Sequence, residues 1–207
     1  MEILDIVDEN GVPTGDTVSR GEAHEKGIRH RTSHVWLMRV NAKACGAGYG
    51  ILDGVELLVQ RRSDDKDSHP GCLDISSAGH IPSGCSYVES ALRELSEELG
   101  VTASAKELHF CGKRRKAYSK NFHGSIFSDN QVSNVYVMYR DIPEEDIVFQ
   151  QSEISEVFWM PFNEVYDMVF KDENGEEKPR SCIALEEMQM LRNYLCDHMD
   201  VLIGKLA

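Results

Sequence analysis

Three glutamates fall within one helical turn of the segment Arg93-Glu94-Leu95-Ser96-Glu97-Glu98-Leu99-Gly100-Val101. At ~100° per residue, Glu94, Glu97 and Glu98 share one helix face within an arc of about 100°. Carboxylates so placed repel, each like pair at i,i+4 costing roughly 0.2–0.5 kcal/mol, and Arg93 relieves only part of that by reaching Glu97. A hard divalent cation relieves the rest, and Mg2+ held by carboxylates together with substrate phosphates is a recurrent arrangement. An isolated E-x-x-E-E run is more often a solvated acidic face, so the flanks decide between the two.

The flanks specify a loop, a short capped helix and a sharp stop. Val88, Ala91, Leu92, Leu95 and Leu99 recur at helical spacing, giving a buried face opposite the acidic one. Ser86 is placed to accept a free backbone N–H, and Glu89 three residues on completes a capping box. Gly100 follows where a left-handed cap suits glycine. Upstream runs Gly79-His80-Ile81-Pro82-Ser83-Gly84-Cys85. Together, Gly79 to Val101 resembles the Nudix box, G-x5-E-x7-R-E-U-x-E-E-x-G-U with U apolar. Gly79, Arg93, Glu94, Leu95, Glu97, Glu98, Gly100 and Val101 match, while Cys85 stands where the pattern has its first glutamate.

The resemblance implies an α/β (α+β) fold, a Nudix-type α/β/α sandwich with a mixed β-sheet. It also implies a Mg2+-dependent (or Mn2+-dependent) hydrolase that cleaves a phosphoanhydride in a nucleoside diphosphate linked to another moiety. Glu94, Glu97 and Glu98, with the Gly79 carbonyl, are then the expected metal ligands; Glu94 and Glu97 are also expected in catalysis, and Arg93 orients the glutamates. In such enzymes the general base moves among loops, so Glu94 itself, Asp129, Glu153 and Glu156 are all candidates. Outside the box, Thr32 to Arg62, Asp74 to His80 and Glu153 to Phe162 resemble a Nudix branch related to the isopentenyl-diphosphate isomerases, so the likeness covers roughly residues 1–165. In those isomerases a histidine directly after this glycine, with two upstream, helps hold a second metal. His80 and His30 stand in matching places, whereas His24 is one residue too close to His30 and reads more simply as a surface or loop histidine. The isomerases also need a cysteine where this chain has Ala78 and an acidic pair where it has Asp129-Asn130-Gln131. The thiol and second carboxylate that double-bond migration demands are therefore missing. Isopentenyl-diphosphate delta-isomerase and a non-catalytic nucleotide-binding module, the latter suggested by Cys85, are the alternatives.

A net charge of −13 argues against nucleic acid or an anionic membrane as partner, and a small-molecule diphosphate must then meet a bound cation or a local basic patch. Arg61 or Arg62 is placed to clamp a phosphate through its planar fork, or to end a strand in solvent. Lys113-Arg114-Arg115-Lys116 is the densest basic run and is expected to draw anionic substrate to the mouth of the site, or to decorate a hairpin. A hydrophobic fraction of 41%, six cysteines without C-x-x-C spacing and an acidic, strand-like N-terminus suggest reduced thiols in a cytoplasmic protein without a spanning segment. A homodimer is an open option.

Around the box the pattern predicts one domain over 1–207: an N-terminal hairpin and extension (1–30) turning at Glu9-Asn10-Gly11, a capped helix from Ser19 to Gly27, and strands over Thr32–Val40 and Glu56–Arg61. Further strands are expected over Leu73–Ala78, Lys106–Ala117, Gln131–Tyr139, Ile147–Phe149 and Val157–Trp159. Pro161 opens a helix over Phe162–Phe170. Ser181 is expected to cap a long final helix (181–207) whose Leu185, Met188, Leu191, Leu195 and Met199 form an apolar stripe. Ala42–Gly50, Tyr118–Asn130 and 171–180 are the segments expected to shape the substrate pocket.

Overall fold

The computed structural model describes residues 2–41, 52–122, 124–175 and 180–203. The central strand is β3 (His30–Val40), whose long apolar and β-branched run is buried along most of its length. It pairs in parallel with β8 (Ser125–Tyr139) and antiparallel with β4 (Val55–Arg62) and β6 (Ser77–His80). β4 also carries β5 (Leu73–Asp74) and β9 (Ile154–Pro161), while β8 carries β7 (His109–Phe122). The result is a seven-stranded mixed sheet, ordered β5-β4-β3-β8-β7 with β6 beside β3 and β9 beside β4. A separate hairpin of β1 (Ile3–Val7) and β2 (Pro13–Ser19) leads into α1 (Arg20–Lys26), capped by Ser19 and closed by Gly27 at φ +64°.

Helices cover both faces, as an α/β/α sandwich requires. On one face α2 (Tyr87–Leu99) buries Ala91, Leu95 and Leu99 against Val35, Leu37 and Leu58. On the other, α3 (Phe162–Glu173) and α4 (Leu185–Ile203) bury Phe162, Leu191 and Leu195 against Trp36, Met38 and Leu57. Each fully buried side chain of this size stabilises by about 1.5–3 kcal/mol. The second layer reaches only as far as Trp36; beyond it, Thr32 and His34 of the same β3 face look into a cavity. Among the described residues no helix is long and apolar enough to cross a membrane.

Several boundaries differ from expectation for local reasons. Leu73–Ala78 is broken into β5 and β6 because the buried Ser76 hydroxyl donates to Leu58 O (2.6 Å) and accepts from Leu37 N (2.8 Å), bridging β4 and β3 where they part. Lys106 and Glu107 lie in a 3-10 turn closed by Glu107 on Ser104, so β7 starts at His109. It then runs on to Phe122, which makes most of Tyr118–Asn130 the two arms of a hairpin rather than a loop. Ile147–Phe149 is not a strand; Ile147 is held among the α2 core residues and Gln150 N donates to Glu98 O (2.8 Å). Ser181 does not cap α4: its N–H and hydroxyl both go to Asp172, and the helix begins at Leu185. α3 takes in residues 171–173 of the expected 171–180 loop. Residues 42–51 and 176–179 and the Met199 side chain lie outside the described residues.

Candidate functional site

Alternation along β6 puts Ser77 and Gly79 toward α2 and Ala78 and His80 toward the cavity. α2 is held by the capping box of Ser86 with Glu89 and ends at Gly100, φ +65°. This sets Glu94 directly over Gly79: a Cβ there would overlap Cγ, Cδ and Oε1 of Glu94. One turn on, Glu98 is 7% exposed and accepts from Ser77 Oγ at 2.9 Å. Arg93 spans the group, donating to Glu97 Oε2 (2.8 Å), Glu94 Oε1 (2.6 Å) and the His80 carbonyl (3.3 Å), while Glu97 keeps 54% of its side chain exposed. Burial, and then the Glu94 charge, push the Glu98 carboxyl up to about 8, and burial also raises Glu94. Metal-free, the pair therefore retains a proton that a divalent cation would displace. The loop bearing Cys85 is organised from outside the motif: Asp5 accepts from Ser83 Oγ (2.6 Å), Gly84 N (3.1 Å) and Arg31 (2.7 Å), and Arg31 reaches on to the Cys85 carbonyl (3.1 Å).

Gly79→Ala tests this seat. The added methyl meets the flexible end of Glu94 rather than backbone, so Glu94 must swing away while the sheet remains. Turnover is expected to fall about 100-fold, as for other ångström-scale displacements of a catalytic group, with the melting temperature nearly unchanged. Steady-state kinetics alongside thermal melts would check it.

The cavity, about 570 Å3, is floored by one face of β3, β8 and β7. At one end His24 of α1, His30 and His80 bring ring nitrogens within 4.8 Å of one another, His24 Nε2 lying 3.2 Å from His80 Nε2. His24 is thus a buried member of a cluster, not a surface histidine. His30 Nδ1 donates to Ile28 O (2.8 Å), and its Nε2 faces Asp129 Oδ1 at 3.6 Å. Both atoms are buried without a hydrogen-bond partner. A carboxylate oxygen and a ring nitrogen buried this close favour a proton or a cation between them. Burial, then His30, lowers His24 to about 4, and burial also drives His80 down, so both rings are neutral and able to ligate.

The remaining expected residues separate. Arg61 pairs with Glu156 (3.1 Å) on the exposed side of β4 and β9. Arg62 lines the cavity, but its donors go to Asp74 (2.9 Å) and the Ser68 carbonyl (2.9 Å). Glu153 also lines it, ion-paired with Lys66. The basic run splits by strand alternation: Arg114 and Lys116 face the cavity, whereas Lys113 and Arg115 donate to Asn10 on the other side. Glu187 goes unnoticed in a reading of motifs alone. It is 1% exposed on α4 and accepts from His34 Nδ1 (3.0 Å) and Trp36 Nε1 (3.1 Å), with Arg114 Nε 3.1 Å away. Its one signal is a charge set four residues before Leu191, inside the apolar stripe.

With this geometry in hand, comparison with known proteins is informative. Residues 46–184 match the family described as NUDIX domain. Nudix hydrolase 3 of Arabidopsis thaliana is 35% identical over 182 residues, 83% of this chain and 21% of that protein. An uncharacterized Nudix hydrolase of Clostridium acetobutylicum is 35% identical over 153 residues, 74% of this chain and 66% of that one. The chain thus spans about a fifth of the plant relative and just under two thirds of the clostridial one. Among solved structures, DR0079 from Deinococcus radiodurans superposes with a TM-score of 0.61 at 20% identity, covering 91% of this chain and 98% of that one. The NUDIX domain of Shewanella oneidensis NrtR, complexed with ADP ribose, gives 0.52 at 15% identity, covering 86% and 99%. These two likenesses speak to the fold.

Proposed function

The chain belongs to the Nudix family, and from that membership we propose that it is a divalent-metal-dependent hydrolase of a phosphoanhydride in a nucleoside diphosphate linked to another moiety. The observation that carries this is the seat of α2 on β6: Glu94 fills the space over Gly79, Glu98 is pinned by Ser77, and Arg93 ties Glu94, Glu97 and the His80 carbonyl together. Two neighbouring carboxyls that burial pushes up, Glu98 to about 8, fit a cation site. Glu94, Glu97, Glu98 and the Gly79 carbonyl would hold Mg2+ or Mn2+. Such an ion offsets phosphate charge and lowers the pKa of an attacking water. Arg93 orients the glutamates and is kept from substrate by its own pairings. Of the candidate bases, Asp129 and Glu153 line the cavity, whereas Glu156 is engaged by Arg61.

The facing orphan atoms of His30 and Asp129 fit a second cation shared with His24 and His80, and imidazole donors favour a transition ion there. A single domain over 1–207 serves this reading, since α1 supplies His24 to the cavity and α4 supplies Glu187 to His34 and Arg114, which line it. Ala78 and Gln131 line the cavity where an isopentenyl-diphosphate isomerase resembling this branch needs a thiol and a second carboxylate, which disfavours proton transfer to carbon. ADP ribose in the NrtR domain is an example of the ligand class.

The test is one screen of nucleoside-diphosphate compounds and isoprenyl diphosphates with Mg2+ or Mn2+, scoring phosphate-bearing and isomer products separately. Cleavage of an anhydride that stops on adding EDTA is expected. A dimethylallyl product without phosphate release, or no cleavage of any compound, would overturn the reading.

A further inference from the structure

The cations around the cavity are not equally available. Arg62 is taken by Asp74 and Ser68, Lys66 by Glu153 and Arg20 by Glu2. Arg114 and Lys116 differ. Arg114 is 4% exposed, has a carboxylate within ion-pair distance only at Nε, and neither its buried Nε nor its buried Nη1 has a hydrogen-bond partner. Lys116 pairs with no carboxylate among the described residues; its ammonium lies 5.2 Å from the centre of the Tyr118 ring. A buried donor left unmatched carries its full desolvation penalty, so this corner is built for an acceptor the chain does not supply.

Position says which part of a substrate would supply it. His80, Thr32, Ser133 and Arg114 form one row across β6, β3, β8 and β7. With strands ~4.8 Å apart, the backbone of Arg114 lies about 14 Å along the floor from the strand that carries Gly79, its side chain turning toward Glu187. That distance exceeds the length of one diphosphate. We propose that Arg114 and Lys116 form a second anion subsite, which takes a phosphoryl group on the part of the substrate remote from the cleaved anhydride. The substrate class narrows accordingly to diphosphate compounds bearing a further phosphomonoester. Glu187 is a positioning residue here: its carboxylate, 3.1 Å from Arg114 Nε, attracts that edge of the guanidinium by charge and leaves the forked end for the ligand. Burial, and then Arg114, lower the Lys116 ammonium, as expected for a cation awaiting an anion.

The inference rests on the hydrolase reading for its substrate class, but its test does not. The full chain in EDTA is titrated with inorganic phosphate by calorimetry, beside Lys116→Ala, Arg114→Lys and Lys113→Ala. Saturable binding is expected for the wild type and for Lys113→Ala, which removes the same charge from the opposite face of the strand. Lys116→Ala and Arg114→Lys should each weaken it about ten- to hundredfold. Lys116→Ala carries the decision should Arg114→Lys fail to fold. No saturable binding by the wild type, or equal affinities for Lys116→Ala and Lys113→Ala, would overturn the subsite. Failure of the hydrolase reading shows instead as absent turnover, whatever the phosphate affinities.

Discussion

Glu98→Gln is expected to lower turnover by about two to four orders of magnitude, since in the proposed role of metal ligand Glu98 would bring several kcal/mol of charge stabilisation to the reacting phosphate. The fold should survive. Below pH about 8 the metal-free protein holds Glu98 protonated, and glutamine has nearly the shape of the protonated acid. Ser77 Oγ can still donate to the amide oxygen in its place. The pH dependence separates this from a merely structural role. The carboxyl is raised from 4.5 unfolded to about 8 folded, so its contribution to stability is most favourable below pH ~4.5 and declines as pH rises to about 8. The glutamine variant lacks that decline. In EDTA its melting temperature should therefore gain on the wild type from pH 5 to 8, whereas Mg2+ should raise the wild type and leave the variant where it was. Equal turnover of the two proteins would remove Glu98 from the mechanism. A large loss of stability in EDTA at pH 6 would make it a structural residue instead.

The site is legible in the sequence to the extent that it depends on neighbours along the chain. The helix from Tyr87 to Leu99 can be read because Ser86, Glu89, the apolar spacing and Gly100 act within one segment, and the structure has each of them in its expected place. The β1–β2 hairpin and the cap of α1 are local in the same sense. What escapes a linear reading is made by pairing between distant elements. Parallel pairing of β3 with β8 brings His30 beside Gln131, so Asp129 comes to face the histidines, and α1 swings His24 into the same space. The one-residue difference in the His24–His30 spacing has no effect on that convergence, because the two rings come from different elements. Likewise, Arg61 and Arg62 are adjacent in sequence, yet alternation sends one to Glu156 outside and the other to Asp74 at the cavity. Whether an arginine is free for a phosphate depends on carboxylates many residues away, and composition carries no trace of that.

The same non-local logic gives the largest stability effect. Glu187→Ala is expected to destabilise the protein by about 3–5 kcal/mol, as when one partner of a buried ion pair is removed. Burial alone would raise this carboxyl, but His34, Arg114 and the Trp36 N–H hold it down at about 2. With an ordinary value of 4.5, its contribution is complete above that pH and lost as pH falls toward about 2. Acid unfolding of the wild type should thus include a step that Glu187→Gln lacks. In the alanine variant the buried Arg114 would lose the carboxylate it pairs with, and His34 and Trp36 would each lose an acceptor. A matched apolar replacement, Glu187→Leu with Arg114→Met, removes both charges together. It should recover most of the loss, because the penalty lies in leaving one charge unpaired rather than in losing their attraction. Urea unfolding at pH 7 of the three proteins decides the matter. A loss below about 1 kcal/mol for Glu187→Ala, the range of an exposed ion pair, would mean that α4 is held by its apolar residues, Met188, Leu191 and Leu195 among them. The cavity floor would then not depend on this carboxylate for its arrangement.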